Sequence, residues 1–211
     1  MKKILLLLLI VLFVTANAYS ELNVKAGVDT FGALSFLNKG NGGGRNTDIG
    51  YSAAAEYLYP VSGIIKIGLG AEYLFSRETK EELLDDDDTM GQLWSSYEFN
   101  YMPVYLTAKI SLEETLEGLY LKGNIGYNVL HDLQLKSTLN GHSLTSDFGS
   151  DHSGGIYFAL GAGYEFPFGL LFDVMYSYYS DSFKFDVYSD IINGRSVYTK
   201  LGFNIGYKLD I

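Results

Sequence analysis

The amino-acid sequence predicts an all-β fold, specifically an eight-stranded antiparallel up-and-down transmembrane β-barrel. Three observations lead to this prediction: an export signal at the N-terminus, eight segments in which apolar residues alternate with small or polar ones, and connections that are alternately long and short. The 18 Tyr and 13 Phe suit a chain made mostly of strands. The absence of Cys argues against a disulfide-stapled secreted module.

The first eighteen residues predict a secretory signal peptide. Lys2 and Lys3 provide a positive start, Ile4–Val14 is apolar without interruption, and Ala16-Asn17-Ala18 is a small-x-small cleavage site. The apolar run is too short for a membrane-spanning helix. We therefore predict a signal peptide over residues 1–18 and a single barrel domain over residues 19–211, with the mature N-terminus at Tyr19.

The rest of the chain shows the alternation of half-buried strands eight times. No later stretch approaches the ~20 apolar residues that a membrane helix needs, so a mature chain that spans a membrane must form a closed barrel. One face of each segment is apolar, and we predict that this face contacts lipid. Near the membrane midplane it includes Leu69, Leu106, Ile125, Leu160 and Leu201.

The connections support a membrane barrel over a soluble sandwich. The long ones include 38–48, 77–92 and 137–154, whereas the short ones turn at Pro60-Val61-Ser62-Gly63, 113–118 and Pro167-Phe168-Gly169. Outer-membrane barrels combine long extracellular loops with short periplasmic turns in this way. A Greek-key sandwich has no reason to keep the alternation.

Charged residues on the opposite faces of the strands identify the barrel interior. Six are basic and six are acidic: Lys25, Lys66, Lys109, Lys122, Lys200, Lys208, Asp29, Glu56, Glu72, Glu165, Asp173 and Asp210. An eight-stranded barrel is only wide enough for side chains to fill it, and buried charges need partners or water.

We therefore predict an internal charge network that leaves no open pore. Its members are Lys25, Glu56, Lys66, Glu72, Lys109, Lys122, Glu165, Asp173 and Lys200. Neighbouring strands and similar depth suggest Lys122 and Glu165 as a pair. The alternative is a set of separately solvated charges in a wet lumen.

Several short stretches carry a resemblance to a known family. They are Ala16-Asn17-Ala18, Met102-Pro103-Val104-Tyr105-Leu106, Gly161-Ala162-Gly163-Tyr164-Glu165-Phe166-Pro167 and the alternating terminal strand. Over residues 19–211 the chain resembles the small outer-membrane β-barrels typified by OmpA and OmpX. The resemblance implies a place in the outer membrane, contact with its lipid and lipopolysaccharide, and delivery by the barrel-assembly machinery. Such barrels usually end in Phe, where this chain has Ile211.

Candidates for catalysis are few. His131, with Ser143 or Ser153 and with Asp147 or Asp151, could supply the base, nucleophile and acid of a hydrolase at the outer rim. No spacing singles these residues out, and polar residues in a surface loop are the favoured interpretation. We predict no catalytic, cofactor-binding or metal site.

The strongest charge run is Asp85-Asp86-Asp87-Asp88, preceded by Glu78, Glu81 and Glu82. Carboxylate oxygens suit Ca²⁺ or Mg²⁺, but the run lacks the Gly and the terminal Glu of an EF-hand loop. A solvated, disordered loop over 77–92 is the prediction. The formal net charge of −10 argues against a nucleic-acid partner.

These observations favour a monomeric, non-enzymatic surface scaffold that is structural or adhesive and meets an extracellular ligand through its long loops. Three alternatives remain open. They are a lipid A-modifying outer-membrane enzyme, a narrow channel, and a soluble ligand-binding barrel, which requires an apolar interior.

Overall fold

The computed structural model describes residues 20–37, 44–80, 82–87, 91–113, 117–139, 142–147, 154–187 and 190–211. They form eleven strands: β1 Glu21–Leu37, β2 Gly44–Asn46, β3 Gly50–Pro60, β4 Ile65–Glu78, β5 Glu82–Asp87, β6 Gly91–Ser111, β7 Gly118–Leu139, β8 His142–Asp147, β9 Gly155–Glu165, β10 Leu170–Val187 and β11 Asp190–Asp210. The predicted signal peptide over 1–18 and the start at Tyr19 lie outside these residues. In the described part of the chain, no helix has the length and apolar character to cross a membrane.

Eight of the strands close into a ring. The order is β1–β3–β4–β6–β7–β9–β10–β11 and back to β1, and every neighbouring pair is antiparallel. The first and last strands close it, with Glu21 opposite Asp210 and Val28 opposite Phe203. Closure leaves no free sheet edge in the membrane, as lipid demands. The predicted eight-stranded antiparallel transmembrane barrel is confirmed.

The apolar face of each strand points outward. Leu106, Ile125 and Leu160 are 60, 63 and 65% exposed, whereas the adjacent Thr107 and Asn124 are buried in the lumen. An exterior this apolar is stable only against lipid, because water would have to cover it otherwise. The predicted orientation, with apolar residues outside and charged residues inside, is therefore correct.

The predicted short turns join the strands at one end of the barrel. In the turn after β3, the Val61 N–H donates to the carbonyl of Ile65 at 2.8 Å. In the turn after β9, the Phe166 N–H donates to the carbonyl of Leu170 at 2.9 Å, and Gly169 has a φ of 88° that side chains disfavour. Short turns identify this end as periplasmic.

At the opposite end the strands continue past the membrane. Strands β6 and β7 have 21 and 22 residues, about twice the 9–11 that a membrane crossing takes. Strands β2, β5 and β8 pair only with these extensions, through β1, β6 and β7. We call β2, β5, β8 and the extensions they pair with, together with the upper ends of β10 and β11, the crown.

The crown corrects the sequence analysis. The predicted loops over 77–92 and 137–154 contain β5 and β8, and the acidic run is a paired strand as far as Asp87. The prediction of loops relied on the charged composition of these segments. It failed because a long neighbouring strand pairs with their backbone N–H and C=O groups whatever the side chains are.

The crown consists of two four-stranded sheets, in the orders β5–β6–β7–β8 and β10–β11–β1–β2. On one side they are joined at the base, where Thr47 bridges to Thr79 and the Lys80 N–H donates to the carbonyl of Asn46 at 2.9 Å. On the other side, the backbone pairing of β10 with β9 ends at Tyr179. Beyond Tyr179, no backbone pairing among the described residues joins β10 to β8. We call this gap the β8/β10 seam.

Three bulges mark the level at which the barrel gives way to the crown. The register shifts between Thr30 and Ala33 in β1, between Leu74 and Arg77 in β4, and opposite Met102/Pro103 of β6, where Val129 is the extra residue in β7. Phe31, within the first bulge, has a φ of 52° and is 85% exposed. Bulges bend strands and re-aim their side chains, so the alternation changes phase at this level.

Candidate functional site

The periplasmic end of the lumen holds the first of three groups of ion pairs. We call it the lower cluster, formed by Glu21, Lys66, Lys109, Glu165 and Lys208. Lys66 lies 2.5 Å from Glu21, Lys208 lies 2.7 Å from Glu165, and Lys109 pairs with Glu165. Glu165 is fully buried, so these ammonium groups replace the water that a free carboxylate would need.

The middle cluster lies next along the barrel axis and contains Lys25, Glu56, Lys122 and Asp173. Lys25 pairs with Asp173 and lies 3.0 Å from Glu56, while Lys122 pairs with Glu56 and lies 3.7 Å from Asp173. Two positive and two negative groups therefore balance. Tyr120 connects this cluster to the lower one, because its hydroxyl donates to Asp173 while its ring faces the Lys109 ammonium, 4.2 Å from the centroid.

The upper cluster contains Asp29, Glu72, Arg77 and Lys200. Lys200 lies 2.6 Å from Glu72 and 3.0 Å from Asp29, and Arg77 pairs with Asp29. The Arg77 guanidinium also donates to the Tyr198 hydroxyl at 2.6 Å. This cluster is also balanced, so the ion pairs of the lumen carry little net charge.

An aromatic layer packs in the lumen against the middle and upper clusters, to which the Tyr105 and Tyr179 hydroxyls donate hydrogen bonds at Glu56 and Glu72. Adjacent ring centroids lie 4.9 to 6.0 Å apart along the path Phe99, Tyr198, Tyr101, Tyr179, Tyr157, Tyr105. Leu34, Leu74 and Leu133 are buried beside these rings. The sequence analysis did not predict this layer, although Tyr105 lies in the inward phase between Val104 and Leu106.

All nine residues of the predicted charge network lie in the lumen, distributed over the three clusters. The suggested pair is wrong, since Lys122 belongs to the middle cluster and Glu165 to the lower one. Asp210 was also assigned wrongly, because its side chain is 84% exposed. Asp210 is the last residue of β11 and lies at the rim of the barrel, where the alternation of the strand no longer determines whether a side chain faces the lumen.

Sequence reasoning missed two charged members, for different reasons. Glu21 is in phase with Lys25 at the start of β1, so the alternation could have identified it. Arg77 could not be found this way, because the bulge after Leu74 shifts the phase of β4. Its side chain is directed inward, where it meets Asp29.

The catalytic candidates remain predictions. The side chains of His131, Ser143 and Asp147 lie outside the described residues, as do all of residues 151–153. The side chains of the acidic run at 85–88 also lie outside them. At the base of the crown, on the outer surface, Lys136 donates to Glu98 at 2.8 Å, which lowers the pKa of that carboxyl. This polar surface lies above the lipid-facing band.

The filled lumen predicts the behaviour of the protein in a planar bilayer. Because ion pairs and the aromatic layer occupy the interior, we expect no steady conductance from the unmutated protein. Current recordings of the refolded barrel at both voltage polarities measure this directly, with the lipid and detergent alone as the control. Stable current steps of fixed amplitude contradict a closed lumen and favour the channel alternative.

A closed ring of eight antiparallel strands with an apolar exterior and a charge-paired interior defines a transmembrane β-barrel of the outer-membrane type. No protein-family model and no curated protein matches the sequence.

Solved structures are similar in fold. They include Ail, the attachment invasion locus protein of Yersinia pestis (14% identity, 90% of this chain and 99% of that chain, TM-score 0.47). They also include the outer membrane protein OprG from Pseudomonas aeruginosa (14% identity, 92% and 98%, TM-score 0.46) and the outer membrane protease OmpT from Escherichia coli (10% identity, 92% and 97%, TM-score 0.45). At these identities the likeness concerns the fold alone.

Proposed function

We propose that the protein is a non-enzymatic surface scaffold of the outer membrane, and that its crown binds an extended polypeptide outside the cell. The β8/β10 seam is the observation that carries this proposal. The short turns identify the periplasmic end, so the crown is exposed to the exterior. The filled lumen argues against transport as the main role, since ion pairs and aromatic side chains of the described residues occupy it.

The seam has the chemistry of a strand-recognition site. β8 provides six residues, His142–Asp147, that pair on one side with β7, and β10 provides the stretch from 183 to 187, paired on one side with β11. Along the seam their backbone N–H and C=O groups have no backbone partner among the described residues. Such edges pair readily with an added strand, which gains affinity from main-chain hydrogen bonds. The matching ligand is an extended segment of roughly six residues, the length of β8.

Trimming the seam is expected to weaken peptide binding while leaving the barrel intact. In the test variant, Asn-Gly replaces residues 137–144, so that Lys136 and Thr145, which pair in β7 and β8, are joined by a two-residue turn. The probe is a phage-displayed library of random twelve-residue peptides, selected on intact cells that carry the unmutated protein. Selected peptides are expected to bind the trimmed variant at least about tenfold more weakly, a loss of roughly 1.4 kcal/mol.

A matched control trims the crown away from the seam. Asn-Gly replaces residues 83–94, joining Glu82 to its partner Ser95, and peptide binding is expected to persist. Methylating alternate amide nitrogens of a selected peptide is expected to weaken binding, because it removes main-chain donors. Equal binding to both variants, or indifference to methylation, argues against strand addition at the seam. A change in lipid A mass when the protein is expressed supports the enzyme alternative instead.

A further inference from the structure

A cavity of about 20 Å³ lies inside the barrel, between the middle and upper clusters. Glu56 and Lys122 line it from the middle cluster, and Glu72 and Lys200 line it from the upper cluster. No ion pair among the described residues joins these two clusters directly. The cavity therefore lies at a level where the charged groups of two adjacent clusters form no ion pair with each other.

The charges around the cavity indicate an uncharged occupant. Three ammonium groups and three carboxylates contribute to its wall, from Lys25, Lys122, Lys200, Glu56, Glu72 and Asp173. Each already has an oppositely charged partner. A cation or an anion placed here gains no net attraction and loses its hydration, so a neutral polar molecule is favoured.

One side chain at the cavity, Asn124, has unused hydrogen-bonding capacity. Asn124 is only 8% exposed, and its Oδ1 atom has no hydrogen-bond partner among the described residues. The Tyr157 hydroxyl lies beside it, 3.5 Å from Asn124 Nδ2 and 3.5 Å from Glu72 Oε2, and Ser177 is a further hydrogen-bond partner. A buried amide oxygen without a partner destabilises the fold, because it has lost its hydrogen bonds to water. A bridging molecule removes that destabilisation.

The volume identifies the molecule. A water molecule needs a cavity volume of about 10–15 Å³ and two to four polar partners. The cavity therefore accommodates one or two waters, and Asn124, Tyr157 and the surrounding charged groups supply the partners.

We propose that this cavity is an internal water site. One or two ordered waters accept or donate hydrogen bonds at Asn124 Oδ1 and the Tyr157 hydroxyl, and they connect the middle cluster to the upper one. These waters connect the middle and upper clusters, as Tyr120 connects the lower and middle clusters. This site is independent of the crown and of any ligand bound there.

Solid-state NMR of the protein in lipid bilayers tests the site by magnetisation transfer from water. Transfer to the Asn124 side-chain amide is expected, with the signature of a long-lived water. Loss of that transfer is expected in Ala54→Val, because Ala54 lines the cavity and the added methyl groups fill it. The matched control is Ala55→Val, where the same substitution on the adjacent residue faces lipid.

Absence of transfer in the unmutated protein overturns the proposal, and so does equal transfer in both variants. A crystal structure of the unmutated protein gives a second measurement that does not depend on Ala54→Val folding. Density for a water within hydrogen-bond distance of Asn124 and Tyr157 is expected, and an empty, well-ordered cavity contradicts it. A separate experiment tests whether the water links the two clusters. Glu72→Gln is expected to shift the Lys122 ammonium resonance more in the Ala55→Val background, where the water remains, than in the Ala54→Val background, where the cavity is filled. Equal shifts contradict a link through water.

Discussion

Glu165→Gln is expected to destabilise the barrel by about 3–5 kcal/mol, the usual cost of breaking a buried ion pair on one side. Glu165 is fully buried and contacts two lysines, Lys109 and Lys208, with a third, Lys66, at 3.9 Å. Removing its charge leaves these ammonium groups with too few negative partners in a dry environment. Urea titration of the protein in lipid vesicles measures the loss, with folded and unfolded forms separated by their gel mobility. Asp210→Asn, at an exposed rim position two residues beyond Lys208, is the matched control and is expected to have little effect.

The same substitution distinguishes the observed pairing from the one that sequence alone suggested. Lys109→Met added to Glu165→Gln is expected to recover part of the stability, because the two residues are direct partners. Lys122→Met added to Glu165→Gln is expected to lower stability further, since it leaves Glu56 and Asp173 short of a cation. Equal recovery from both lysine substitutions is incompatible with separate lower and middle clusters.

Leu160→Arg is expected to cost about 2–4 kcal/mol, the penalty for an arginine on the lipid face near the bilayer midplane. Leu160 is 65% exposed on the outer surface of β9, opposite Gly123 on one side and Tyr176 on the other. Leu201→Arg, on the outer face of β11, is expected to behave in the same way. The same urea titration in lipid vesicles measures both.

A charge placed at the edge of the membrane gives the matched control. Val61 is 57% exposed in the turn between β3 and β4, and Val61→Arg is expected to cost only about 0–1 kcal/mol because the penalty falls towards the interface. If Leu160→Arg and Leu201→Arg fold as stably as Val61→Arg, the outward faces do not contact the hydrocarbon core. The assignment of inside and outside then has to be reversed.

The sequence by itself determined the number of barrel strands and the facing of their residues. A strand directs successive side chains to opposite sides, so Lys25 and Lys66 could be assigned to the lumen, and Leu106 and Leu160 to lipid, from phase alone. The composition of the two faces then favoured a membrane barrel over a water-soluble one. This inference is local, because each strand carries the full pattern within its own residues.

Only the tertiary structure decided which charges meet. Lys122 on β7 and Glu56 on β3 pair across the lumen, three strands apart around the ring, and the sequence pattern of one strand contains no information on that distance. Bulges add to the difficulty, because a shift of one residue turned Arg77 inward against the phase of its strand.

The crown was hidden for a related reason. Its strands are held by backbone pairing with long neighbours, so their charged composition says little about their conformation. The same holds for the cavity beside Asn124, whose volume depends on side chains from all eight barrel strands packing to within the size of one water molecule. Alternation is a property of each strand, whereas pairing partners, crown edges and internal space arise only when all eight strands close on one another.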